Sequence, residues 1–138
     1  MRSLTPLLLA LVTLISLVAA RPAVANEDDL FWDAYSIQNG VELDATYKES
    51  PENGLIDQTL EVQLEDAPSN VTVFISINGR VIGSMTTDVT GRGEFRMDRL
   101  GVTPGPDGRP IGQRIETGDV IRVFRGATGI SATFRPRP

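Results

Sequence analysis

Val71-Thr-Val-Phe-Ile-Ser-Ile77, followed at once by Asn78-Gly79, decides the fold. Positions 71, 73, 75 and 77 are all Val or Ile, the period-2 pattern of a strand with one buried face. Asn-Gly between two apolar runs is the strongest short-range hairpin signal, because Gly takes positive φ freely and Asn tolerates it. The chain therefore turns back into Val81-Ile-Gly-Ser-Met-Thr86. Two registers are open. A two-residue loop sets Ile75 opposite Ile82 and Val73 opposite Ser84, mixing polar and apolar groups. A three-residue loop, Ile77-Asn78-Gly79 with a bulge at Gly79, sets Ile75 opposite Val81, Val73 opposite Gly83 and Val71 opposite Met85. The second makes one face apolar throughout and is the expected one, with Gly83 leaving room for whatever packs over Val73. On the other face Phe74 lies beside Ile82, with Arg80 nearby. That half-apolar surface marks Phe74, Ile82 and Arg80 as a candidate interaction face.

Alternation extends in both directions from this hairpin. Val41, Leu43, Ala45 and Tyr47 share one side of a strand, and Leu60, Val62 and Leu64 one side of the next. Lys48 to Asp57 reads as a polar connection carrying Pro51 and Asn53-Gly54. Asp88-Val-Thr-Gly-Arg-Gly93 has one carboxylate where a calcium loop needs several, so it reads as a hairpin turn before Glu94-Phe-Arg-Met97, with Phe95 and Met97 toward the core. Residues 99–119 are rich in Pro and Gly, which deny helix and inner strand; they read as a long exposed loop, a crossover between sheets. Val120–Phe124 and Ile130–Phe134 close the pattern. Six or seven strands with turn signals near every ten residues predict an all-β fold. It is an antiparallel sandwich with immunoglobulin-like topology, or else a small β-barrel.

The first 25 residues stand apart. Arg2, the run of 14 residues Leu7–Ala20, apolar but for Thr13 and Ser16, and Ala23-Val24-Ala25 have the form of a helical signal peptide with its cleavage site. As a helix that run spans only about 21 Å, too short for a hydrocarbon core of about 30 Å, so no stable membrane anchor is expected after cleavage. The expected organisation is a signal peptide at 1–25, an N-terminal extension with an aromatic anchor at 26–40, and one sandwich domain at 41–135, exported to the periplasm or beyond. With no cysteine, the exported domain must be held by its apolar core.

Charge is unevenly laid out: Glu27 to Asp66 holds twelve acids and one base, Ala67 to Pro138 six acids and ten arginines. Acidic early strands lying beside basic later ones would pair across a sheet. The sharper account is ligand steering or head-to-tail self-association. The arginines form no nucleic-acid motif, and no nucleic-acid partner is expected.

Chemistry is sparse. Without His or Cys the commonest general base, metal ligands and thiol nucleophile are all missing, and no metal or cofactor site is expected. A Ser-Lys pair has only Lys48, in a polar turn where burial cannot lower its pKa. Asp33, Glu42, Asp44, Glu61 and Asp66 could supply paired carboxylates, yet outward acids on strands usually serve solubility, and no enzyme is expected. Two functions remain: a non-catalytic module acting by contact with another envelope protein or with itself, or a small-ligand or carbohydrate-binding module using Phe31, Trp32 and Tyr35. For those three rings, anchoring in the core is the competing role.

Overall fold

A computed structural model describes residues 28–138. The signal peptide expected at 1–25 lies outside the described residues. Nine strands follow in order: β1 (Leu30–Gln38), β2 (Val41–Glu52), β3 (Leu55–Glu65), β4 (Thr72–Ile77), β5 (Arg80–Thr86), β6 (Gly93–Val102), β7 (Val120–Arg125), β8 (Thr128–Thr133) and β9 (Arg135–Pro136). They build two antiparallel sheets, one of five strands in the order β6-β3-β2-β1-β9 and one of four in the order β5-β4-β7-β8. The fold is an all-β sandwich, without a helix among the described residues.

The expected strands are present, and two more join them. Residues 30–38 are no docked extension but a full strand, paired with β2 from Leu30↔Glu49 to Gln38↔Val41 across the Asn39-Gly40 turn. The two-residue β9 then caps β1 at Trp32 and Asp33. Nor is 48–57 a simple connection: β2 runs on to Glu52 and β3 begins at Leu55, so only Asn53-Gly54 turns, with both residues at positive φ.

The central hairpin corrects the expected register. Asn78 and Gly79 both take positive φ, 49° and 82°, as a two-residue turn matching strand twist demands. Ile77 therefore faces Arg80 and Ser76 faces Val81, but Ile75 faces Gly83 and Val73 faces Met85, with the bulge between. The extra residue sits three positions beyond the turn rather than in it. Burial still decides the outcome, since the bulge restores an apolar inner face of Val73, Ile75 and Met85. Its consequence is that Ile75 is fully buried while Val81 is 53% exposed. Gly83 makes room for a ring from the opposite sheet: a Cβ there would lie 2.4 Å from Cε2 of Phe95.

Four connections change sheet. Asp88–Gly93 is one of them, since β5 and β6 lie in different sheets, so it is not a hairpin turn. It packs on the β3–β4 loop through Ala67 N–H to Gly91 O (3.1 Å) and Asn70 N–H to Asp88 O (3.2 Å). The buried Thr87 hydroxyl donates to Pro68 O (2.6 Å) and accepts from Val71 N–H (3.0 Å). Residues 99–102, expected in the loop, complete β6, and 103–119 carry the chain from β6 to β7, a crossover between sheets as expected. It is less exposed than its composition implies, for Pro110 and Ile115 are buried. Between the sheets lie Trp32, Leu43, Val62, Ile75, Ile121 and Phe134 with their neighbours. Met97, expected inside, is 42% exposed.

Candidate functional site

Strand alternation separates the three rings expected to act together. Along β1, Trp32 and Ala34 point into the core, while Phe31, Asp33 and Tyr35 point outward. Trp32 is 8% exposed; its Nε1–H donates to Thr117 Oγ1 (3.3 Å), and its ring tilts against Tyr47 at 5.7 Å. No three-ring platform forms. Phe31 lies under Lys48 and Arg137 (5.6 and 4.4 Å), and Tyr35 is exposed on the same outer face.

Behind Trp32 lies a polar cluster that sequence reasoning missed. Arg109, from the crossover, stacks 4.2 Å over the Trp32 ring and forks onto buried Glu49, Nη2 to Oε1 at 2.7 Å and Nε to Oε2 at 3.1 Å. It also donates to Ile115 O and Glu116. Tyr47 donates to Glu49 Oε1 (2.9 Å) and accepts from Gln58 Nε2 (2.6 Å), which also donates to Gln113 O. Burial holds the Tyr47 phenol well above its usual pKa. With every buried side-chain N and O among the described residues partnered, the cluster is built to hold the crossover on the sheet. Its signal was available: Glu49 continues the inward series Leu43, Ala45, Tyr47, a carboxylate at a core register.

The outer face of the five-stranded sheet is charged. Arg96 reaches Glu61 (2.6 Å) and Asp98 (3.0 Å), Lys48 reaches Asp29 (2.9 Å), and Arg137 forks onto Asp33 (2.7 Å). Acids of the early strands thus pair with bases of later ones. Arg137 beside Asp33 lowers that carboxyl's pKa, whereas burial and then the Asp33 charge raise that of Asp44. Glu42, Asp44 and Glu61 lie on this face and Asp66 follows β3; Glu61 alone of these lines the open hollow of about 600 Å³ that it shares with Thr46, Lys48, Thr59 and Arg96. Among the described residues no group of three or more acidic or other metal-ligating side chains is placed to hold a metal ion.

The outer face of the four-stranded sheet is the opposite in character. Phe74 of β4 is 44% exposed and meets Phe124 of β7, its cross-strand partner, at 6.0 Å. Val81 and Val120 are exposed as well. Around them stand Thr72, Ser84, Thr86, Ser131 and Thr133, with Thr72 and Thr86 hydroxyls 3.0 Å apart. By alternation Arg122 is the one charged side chain on this face among the described residues, lying 5.1 Å over the Phe124 ring and donating to Ala127 O. Of the three residues expected together, only Phe74 is here. The bulge turns Ile82, and Arg80 with it, toward a cleft lined also by Tyr47 and Leu60. Phe124, Val81 and Val120 take their places. Phe124 was legible in the alternation of Val120–Phe124, but its pairing with Phe74 needed the crossover topology.

No family model and no curated protein matches this chain. Function is therefore read from the two outer faces and from the clefts where the sheets part. One cleft, of about 530 Å³, opens at the end formed by Val41, Leu64, Val71 and Ile130; the other, of about 390 Å³, opens beside Ile82 and Met97.

Proposed function

We propose that this chain is an exported, non-catalytic β-sandwich module that works by protein contact, through the outer face of the four-stranded sheet. The observation that carries it is the Phe74–Phe124 pair, Phe74 exposed and Phe124 half-buried, on a face with a single charge among the described residues. Contact surfaces are depleted in charge at their centres and enriched in aromatic residues and Arg, which is the composition of Phe74, Phe124 and Arg122 amid hydroxyls. The opposite face, crowded with Asp33, Glu42, Asp44, Glu61, Arg96 and Asp98, suits solvent. Export rests on the leader-like residues 1–25. We read the connectivity as immunoglobulin-like: β2, β3 and β6 take the places of strands A, B and E, and β5, β4, β7 and β8 those of C′, C, F and G.

Site-specific photo-crosslinking in the native envelope tests the contact. A crosslinking residue at Phe74 is expected to give one discrete conjugate that the same residue at Gln63, on the charged face, does not. Equal labelling from both positions, or none from Phe74, overturns the assignment.

A further inference from the structure

Along one side of the sandwich the sheets part. Phe95 closes the gap over Gly83, but two residues further along β6 Met97 is left 42% exposed, and the bulge turns Ile82 inward on the facing strand. Between them opens the cleft of about 390 Å³, floored by Leu60, Ile77 and Ile115 with Tyr47 and Gln58 at its back. Ligand sites have this form, a mostly apolar hollow with a few placed polar groups.

Charge at the cleft is positive once internal pairs are set aside. Of the five charged residues lining it, Arg114 pairs with Asp107 and Glu116, and Asp98 with Arg96. Asp119 accepts from Asn78 Nδ2 and from Glu116 N–H. Arg80, Arg99 and Asp119 remain, none of them in an ion pair among the described residues, which leaves two guanidiniums against one carboxylate. Arg99 is held in place nonetheless. Its Nη1 donates to Ile111 O (3.1 Å), Gln113 O (3.3 Å) and weakly to Gln58 Oε1 (3.4 Å), and its guanidinium lies over Gly112, where a Cβ would meet both Nη atoms at 3.2 Å. Only Nη1 is engaged among the described residues, so the Nε–Nη2 edge is free to fork onto a carboxylate.

We propose that this cleft binds an apolar monocarboxylate, its chain against Met97, Ile82, Ile77 and Leu60 and its carboxylate on Arg99, with Arg80 at the mouth. The apolar walls account for Ile82 and Met97 being neither core nor charged, and the pinned guanidinium supplies selectivity for an anion. The site is separate from the Phe74–Phe124 face, and each stands or falls alone.

Methyl NMR of the full chain labelled at methionine tests this with decanoate, kept below its micelle concentration. The Met97 methyl is expected to shift saturably while that of buried Met85 stays put. Arg99→Gln and decanol in place of decanoate are each expected to weaken binding by about tenfold or more, the loss of one charge-assisted fork. Ile82→Glu, at a half-buried position that leaves the loop untouched, is expected to abolish the shift. A stationary Met97, or equal saturation by decanol and by decanoate with both variants unaffected, overturns the proposal.

Discussion

At the scale of single residues, three positions show how burial assigns roles that type alone does not. Gly83 is small because the Phe95 ring occupies the space of its side chain. Gly83→Ala is expected to lower stability by about 1–3 kcal/mol through overpacking, read from urea unfolding. Glu49 is a buried carboxylate whose role is to receive Arg109. Glu49→Gln leaves that guanidinium inside with Glu116 as its remaining acid; a loss of about 3 kcal/mol is expected, with faster amide exchange across residues 103–119. Asp44 is the reverse case, because burial and the Asp33 charge raise its pKa. Below the unfolded pKa of Asp, about 3.9, both states hold the proton and the site is neutral to stability. Above its raised folded value the ionised native form carries the penalty, so Asp44→Asn should raise the melting temperature at neutral pH and leave it unchanged near pH 3.

At the scale of elements, the β4–β5 hairpin shows two demands met in different places. Turn chemistry requires the two-residue Asn78-Gly79 loop, and core burial requires Met85, not Ser84, opposite Val73. A bulge past the turn meets both, and it also blunts an edge strand that would otherwise be flat and open to pairing. Two of the four sheet-changing loops, β3–β4 and β5–β6, depend on Thr87, whose hydroxyl serves Pro68 O and Val71 N–H at once. Thr87→Val preserves shape but strands both backbone groups, for an expected loss of about 1–3 kcal/mol in chemical denaturation. The short β9 is held by Arg137 on Asp33 and Phe31. Removing residues 135–138 uncovers the β1 edge, and concentration-dependent association by light scattering is the expected result, absent from the intact chain at the same concentration.

For the molecule as a whole, the acid limit follows from carboxylates whose pKa is lowered. Asp33 beside Arg137, Asp98 beside Arg96 and Asp107 beside Arg114 all titrate below their ordinary range, with Asp88 held down by the Thr90 hydroxyl and the Arg92 N–H. Their contribution is complete above the unfolded pKa of about 3.9 and disappears as pH falls through the lowered folded values. Melting temperature should therefore drop on acidification below about pH 4, and less steeply in high salt, which screens these exposed pairs. The strand order was legible where it is local: hairpins, turn residues and inward aliphatics all stand at short range. The all-β class, sandwich or barrel, followed from them, because period-2 burial leaves a chain of this length few ways to cover its apolar faces. What stood alone in sequence was misplaced when its partner lay far off, as with the three rings near residue 32, Met97 and the residues around Phe74.

Sequence by itself determined seven of the nine strands, the place of the turn at Asn78-Gly79 though not its register, the crossover and the want of imidazole and thiol chemistry, since these depend on local periodicity and composition. Tertiary structure alone decided that Arg109 reaches Glu49, that Phe74 meets Phe124 rather than Ile82, and that Arg99 stands beside an open apolar cleft. Those pairings join segments tens of residues apart, and a bulge of one residue is enough to exchange the faces on which they meet.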